Sequence, residues 1–157
     1  MNTFCGDGVP CRDVFIEQYG VGGPLTVHWY GTNGSVASVL PWGSAAATRA
    51  MAQSEGGIFV VPEADPDAIT RPNGNIFPWW VVGDPLAPEE ETSREDDFLL
   101  VDAVRECLAG EYDPARITTG GASAGAIMSS YLMGERDYFA GAAIWSGGTT
   151  FGELLVP

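Results

Sequence analysis

Ile58-Phe59-Val60-Val61 is a wholly apolar run closed by Pro62, with no residue suited to face water. A strand of this kind needs cover on both faces of its sheet, the situation of parallel sheets in α/β proteins. The surrounding sequence agrees, because apolar runs alternate with helix-like segments. Residues 14–19 (VFIEQY) predict an outer strand, closed by Gly20-Val21-Gly22-Gly23-Pro24. Residues 25–30 (LTVHWY) predict a stronger one, running into Gly31-Thr32-Asn33-Gly34-Ser35. The alanine-rich stretch 42–54 predicts a helix stopped at Gly56-Gly57.

Residues 62–93 are irregular, with six prolines and the aromatic cluster Phe77-Pro78-Trp79-Trp80. Loops of that length inside a compact domain are usually functional or disordered; tryptophans at the centre favour an ordered one. A helix then follows. Ser93 with Asp96 resembles a capping box, and acids crowd the first turn, where the helix dipole favours them. Phe98, Val101, Val104 and Leu108 recur at helical spacing, with Asp102 and Glu106 on the wet side and Gly110 as the stop. Residues 116–119 predict a strand, 124–133 a helix and 140–145 a last strand. Without internal repeats, a single domain is expected.

Charge excludes several partners. Twenty-one acidic residues face seven arginines and no lysine, for a net charge of −14. Nucleic acids and anionic membranes are repelled by such a chain, and no apolar run is long enough to span a bilayer. The opening residues lack the basic and then apolar segments of a secretory signal. Of three cysteines, Cys5 and Cys11 lie close enough for a short disulfide loop, which leaves the redox compartment open. Cys107 reads as a buried small hydrophobe among Leu100, Val104 and Leu108.

The chemistry centres on Gly121-Ala122-Ser123-Ala124-Gly125, a G-x-S-x-G element between a predicted strand and a predicted helix. A serine nucleophile on a sharp strand-to-helix turn requires a strained backbone and tiny neighbours. The helix N-terminus behind it adds N–H groups and a positive dipole end, which favour a developing oxyanion. The backbone N–H of Ala124 is the first candidate donor of an oxyanion hole. Thr32, in the glycine-rich turn after the second strong strand, is the second. Neither GxGxxG nor GxxxxGK[ST] follows a strand, which argues against nucleotide binding.

With these residues in place, the chain resembles α/β-hydrolases of the polyhydroxyalkanoate depolymerase and feruloyl or acetylxylan esterase kind. The likeness runs from about residue 12 to 148, over PLTVHWYGTNGS, FVVPEAD, FPWW, EDDFLLVDAV, DPARITTGGASAG and FAGAAIWSGG. It implies an α/β three-layer sandwich with a mostly parallel sheet, and a cofactor-free serine hydrolase of carboxylic esters. Ser123 would then be the nucleophile in a nucleophile elbow, Thr32 and Ala124 would line the oxyanion hole, and Trp79 and Trp80 would be candidates for the substrate-binding rim.

Two departures stand out. Relatives carry His-Gly where this sequence has Tyr30-Gly31, and His28, the only histidine, reads as structural. The triad acid and base that follow the nucleophile in such enzymes have no counterpart here. The closing FGELLVP reads as a chain cut in mid-fold, so the front part of a longer enzyme is expected. The competing expectation is a non-catalytic binding or scaffolding protein that keeps the fold.

Overall fold

The computed structural model describes residues 2–6, 9–41, 43–69, 77–80 and 94–147. Its centre is a six-stranded sheet in the order β1 (Asn2–Gly6), β2 (Val9–Gln18), β4 (Ile58–Pro62), β3 (Gly23–Trp29), β5 (Tyr112–Ala122) and β6 (Phe139–Trp145). Strand β2 runs antiparallel to both β1 and β4. The remaining pairs, β4 with β3, β3 with β5 and β5 with β6, are all parallel. Every residue of β3 and β4 is buried, as their apolar content demands.

Helices cover both faces. Helix α1 (Val36–Val39) and α2 (Gly43–Ser54) follow β3, and α3 (Pro66–Ile69) follows β4. Helix α4 (Asp96–Cys107) precedes β5, and α5 (Ala124–Glu135) leads from it to β6. Side chains alternate across a strand, so two neighbours on β3 report the layers. His28 meets Thr48 of α2. Trp29 reaches, through Thr119, Ser129 of α5. Helices α2 and α5 therefore lie on opposite faces. Helix α4 shares the α5 side, where Asp102 accepts from Arg136 Nε (3.1 Å) and Tyr138 Oη (2.7 Å). This is the expected three-layer, mostly parallel architecture.

The sheet departs from expectation at its ends. The outer strand begins at Val9 instead of residue 14, and β1 pairs with it as a hairpin. The Cys/Gly/Pro content of that segment hides it from a pattern reading. Strand β5 begins at Tyr112, running through Pro114, which lies in the register shift between Gly23 and Leu25 where no ladder N–H is required. The caps α1 and α3 are single turns too short for periodicity to reveal. Ser93 lies outside the described residues; the N-cap of α4 is Glu95, without a side-chain cap bond.

Cysteine placement also needs correcting. Cys107 is free and exposed, because it lines an open groove between the end of α4 and strands β1 and β2. Cys11 is disulfide-bonded; the Cys5 side chain falls outside the described residues. Among the described residues, no helix is long and apolar enough to cross a membrane.

A buried ionic cluster ties α4 to the sheet. The Arg12 guanidinium bonds the Asp97 carboxylate, and both are almost fully buried. Asp65 stands 3.6 Å from Arg12 and accepts from Trp80 Nε1 at 2.9 Å. Asp97 also accepts the Trp80 backbone N–H, and Arg94 stacks 3.6 Å above the Trp80 ring. Burial outweighs the pull of Arg12 and raises Asp97 above its ordinary carboxylate range. Removing one member of such a pair strands the other charge. Asp97→Ala is therefore expected to cost about 3–5 kcal/mol in urea unfolding. A loss below about 1 kcal/mol would show that the cluster adds nothing to stability.

Candidate active site

Strand β5 delivers Ser123 to its C-terminal end, and α5 begins with the next residue. Ser123 has φ 55° and ψ −121°, a left-handed conformation that non-glycine residues rarely hold. Its surroundings fix it there. The Ser123 N–H donates to Trp145 C=O at 3.0 Å. Its own C=O accepts from Ala126 N–H at 3.0 Å and Ile127 N–H at 3.2 Å. The side chain is exposed at the carboxyl end of the sheet, where open α/β sheets bind their ligands.

The two outer glycines of the motif allow this turn by close approach. A methyl on Gly125 would stand 1.9 Å from the Trp29 carbonyl oxygen, and one on Gly121 would stand 2.4 Å from the Gly125 backbone. Helix α5 thus starts almost in contact with β3. A polar chain secures it: Trp29 Nε1 donates to Thr119 Oγ1 (3.2 Å), which donates to Ser129 Oγ (3.2 Å), which donates to Gly125 C=O (2.9 Å).

The loop after β3 lies beside Ser123. A methyl on Gly31 would be 3.1 Å from Ser123 Cβ and 3.6 Å from its Oγ. Thr32 is the next residue, half-buried in a turn closed by Gly34 N–H to Gly31 C=O at 3.0 Å. Asn33 takes φ 62° at its corner. Among the described residues, neither Thr32 N–H nor Ala124 N–H has an acceptor.

Trp79 and Trp80 do not form a rim. They are 0% and 2% exposed and belong to the interior. Trp79 packs edge-on against Trp29, 4.8 Å between ring centroids, and its Nε1 donates to Tyr30 C=O at 3.0 Å. Their polar N–H groups find partners inside the protein, so burial satisfies both rings completely. The FPWW segment props the loop from beneath.

His28 points away from Ser123. It is 1% exposed and faces α2. Thr48 Oγ1 donates to Ser44 C=O, so its oxygen accepts from His28 Nδ1–H at 2.9 Å. Burial lowers His28 from 6.5 to about 4. The unfolded chain therefore takes up this proton first as pH falls. Stability from this residue is complete above about pH 6.5 and declines between 6.5 and 4, by about 3 kcal/mol in all. His28→Gln should flatten the acid limb of the stability curve in that window, measured by urea unfolding. An acid limb identical to that of the original protein would contradict the assignment.

The sequence reading missed Glu63, which ends up at the centre of the loop's support. The only signal was an acidic residue directly after an apolar strand. Tyr30 Oη donates to Glu63 Oε2 at 2.8 Å and accepts the Ala64 N–H at 2.6 Å. Glu63 Oε1 accepts the Val36 N–H at 3.1 Å. Burial raises the Tyr30 phenol above its ordinary value, so it stays protonated and donates. Among the described residues, no cluster of three His, Cys, Asp or Glu side chains could hold a metal.

The strand order, the parallel centre and the strained serine turn after β5 define an α/β-hydrolase fold. Solved structures carry the same fold. The native form of sOPH superposes with a TM-score of 0.66 at 22% identity, over 90% of this chain and 49% of that one. The acetyl xylan esterase from Paenibacillus sp. R4 gives 0.57 at 20%, over 89% and 46%. A thermophilic carboxylesterase cloned from a metagenomic library gives 0.55 at 14%, over 85% and 42%. The chain thus spans about half the length of these proteins or less. No sequence-family profile matches it, and no curated protein matches it in sequence.

Proposed function

We propose that Ser123 is the nucleophile of a carboxylic ester hydrolase. The observation that carries the reading is the exposed serine at φ 55° with the Gly31 loop against it. Ser123 Oγ attacks the ester carbonyl carbon, and its proton passes to a general base. The carbonyl oxygen, now an oxyanion, takes N–H bonds from Thr32 and Ala124. Collapse expels the alcohol, and water then attacks the acyl-enzyme to release the acid. No cofactor enters these steps. Substrates are esters of plant-polymer, polyester or small aryl type; two of the solved structures with this fold are named as an acetyl xylan esterase and a carboxylesterase.

The base is not His28, which is buried on the α2 side with its Nδ1 proton held by Thr48. In the hydrolase reading another group takes the Ser123 proton. The same fact favours the competing reading of a non-catalytic binding protein, and one experiment separates the two. The full-length protein is treated with a fluorophosphonate and the adduct is mapped by mass spectrometry. Labelling confined to Ser123, at the same rate in His28→Gln, supports the hydrolase. An unlabelled Ser123 leaves the binding protein standing.

A further inference from the structure

We infer that Glu63 is a positioning residue for acyl transfer, clamping both ends of the loop that carries Thr32 so that it stays against Ser123. The inference rests on the hydrolase reading. Tyr30 is the last residue before the loop and Val36 the first residue after Ser35. One oxygen of Glu63 accepts the Tyr30 hydroxyl and the other accepts the Val36 N–H. A single carboxylate therefore closes the loop at its base.

Glu63 is itself anchored. Its backbone N–H donates to Asp13 C=O on β2 at 2.9 Å. The residue follows Pro62, the last of the wholly buried strand β4. The clamp is thus referenced to the sheet and not to the loop. Tyr30 is gripped from three directions: its hydroxyl by Glu63 and the Ala64 N–H, and its carbonyl by Trp79 Nε1. Its ring lies 4.8 Å from that of Trp79. At the far end, the Ser35 hydroxyl accepts the Ser38 N–H and the Ser38 hydroxyl accepts the Ser35 N–H, so α1 forms a rigid stop.

The loop needs such restraint because its own bonds are few. Among the described residues, the only backbone bond inside it is Gly34 N–H to Gly31 C=O. A segment so weakly tied opens readily unless its ends are held. An oxyanion donor must also stand in place before the charge develops.

The test uses the full-length protein with Glu63→Ala, Glu63→Gln and Tyr30→Phe. Two readouts are taken: amide hydrogen exchange over residues 31–36, and the rate of fluorophosphonate labelling at Ser123. Glu63→Ala should speed exchange across the loop at least tenfold while the amides of β3 and β5 keep their protection. Labelling and kcat for p-nitrophenyl acetate should fall about 10- to 100-fold, with KM within threefold, as for a misplaced catalytic group. Glu63→Gln keeps an acceptor for Val36 and should fall between Glu63→Ala and the original protein. Tyr30→Phe loses one arm of the clamp and should also be intermediate, which guards against a Glu63→Ala protein that fails to fold. Unchanged loop exchange overturns the clamp. Faster exchange with unchanged labelling overturns the positioning role alone. If Ser123 is never labelled in the original protein, the hydrolase reading falls and the positioning role with it.

Discussion

Ser123→Ala in the full-length protein is expected to lower kcat/KM for p-nitrophenyl acetate by on the order of 10⁴-fold or more, the loss seen when a serine nucleophile is removed. What remains should be the slow turnover that binding and oxyanion contacts sustain without a nucleophile. The fold should not suffer. The Ser123 hydroxyl accepts no cap bond from the first N–H groups of α5, and alanine inherits the same backbone strain. Ser123→Gly separates the two effects, because glycine holds φ 55° without penalty. That variant should be equally inactive yet more stable by about 1 kcal/mol, the strain a non-glycine residue stores at such a site. Activity surviving in both variants would remove Ser123 from the mechanism.

A large loss of both stability and activity is expected at Gly125. A Cβ there would stand 1.9 Å from the Trp29 oxygen and 2.5 Å from the Trp29 carbonyl carbon. Both are backbone atoms of a buried central strand and cannot rotate aside. Gly125→Ala must push α5 off β3, at a cost on the order of 3 kcal/mol or more. The same displacement drags Ser123 from the Gly31 loop, so activity should fall with stability. Gly134 supplies the control on the same helix, since nothing lies within 4 Å of a Cβ placed there. Gly134→Ala should stabilise by up to about 1 kcal/mol through helix propensity. Thermal unfolding of the two variants gives the comparison. Equal melting temperatures would mean that α5 does not depend on the close contact.

The contrast between what was and was not legible in the sequence follows from where information resides. Strands β3 and β4 announce themselves because full burial leaves only apolar residues on them. The serine turn is legible because its geometry restricts residue types within five positions. Strand β1 is not, since its five residues (NTFCG) show no apolar alternation to read. Trp79 and Trp80 look alike on paper whether they face substrate or core. Only the acceptors offered by Tyr30 and Asp65 decide for the core. Glu63 and Arg12 act through partners far along the chain, and a single sequence does not record such pairs. The α/β class was therefore readable, whereas the supports of the candidate site were not.

The hydrogen bond from Ser123 N–H to the Trp145 carbonyl has a consequence for the order of events during synthesis. Strand β5 pairs with β3, about 90 residues earlier, and with β6, which follows it. The loop that flanks the serine is therefore made long before the serine itself. The serine turn in turn lacks its backbone acceptor until residue 145 has left the ribosome. Pairings of such long range are intrinsically slow to form. A nascent chain stopped between residue 125 and β6 carries the whole G-x-S-x-G element without the Trp145 carbonyl that its Ser123 N–H takes up. The backbone turn at Ser123 is thus completed late, when β6 docks.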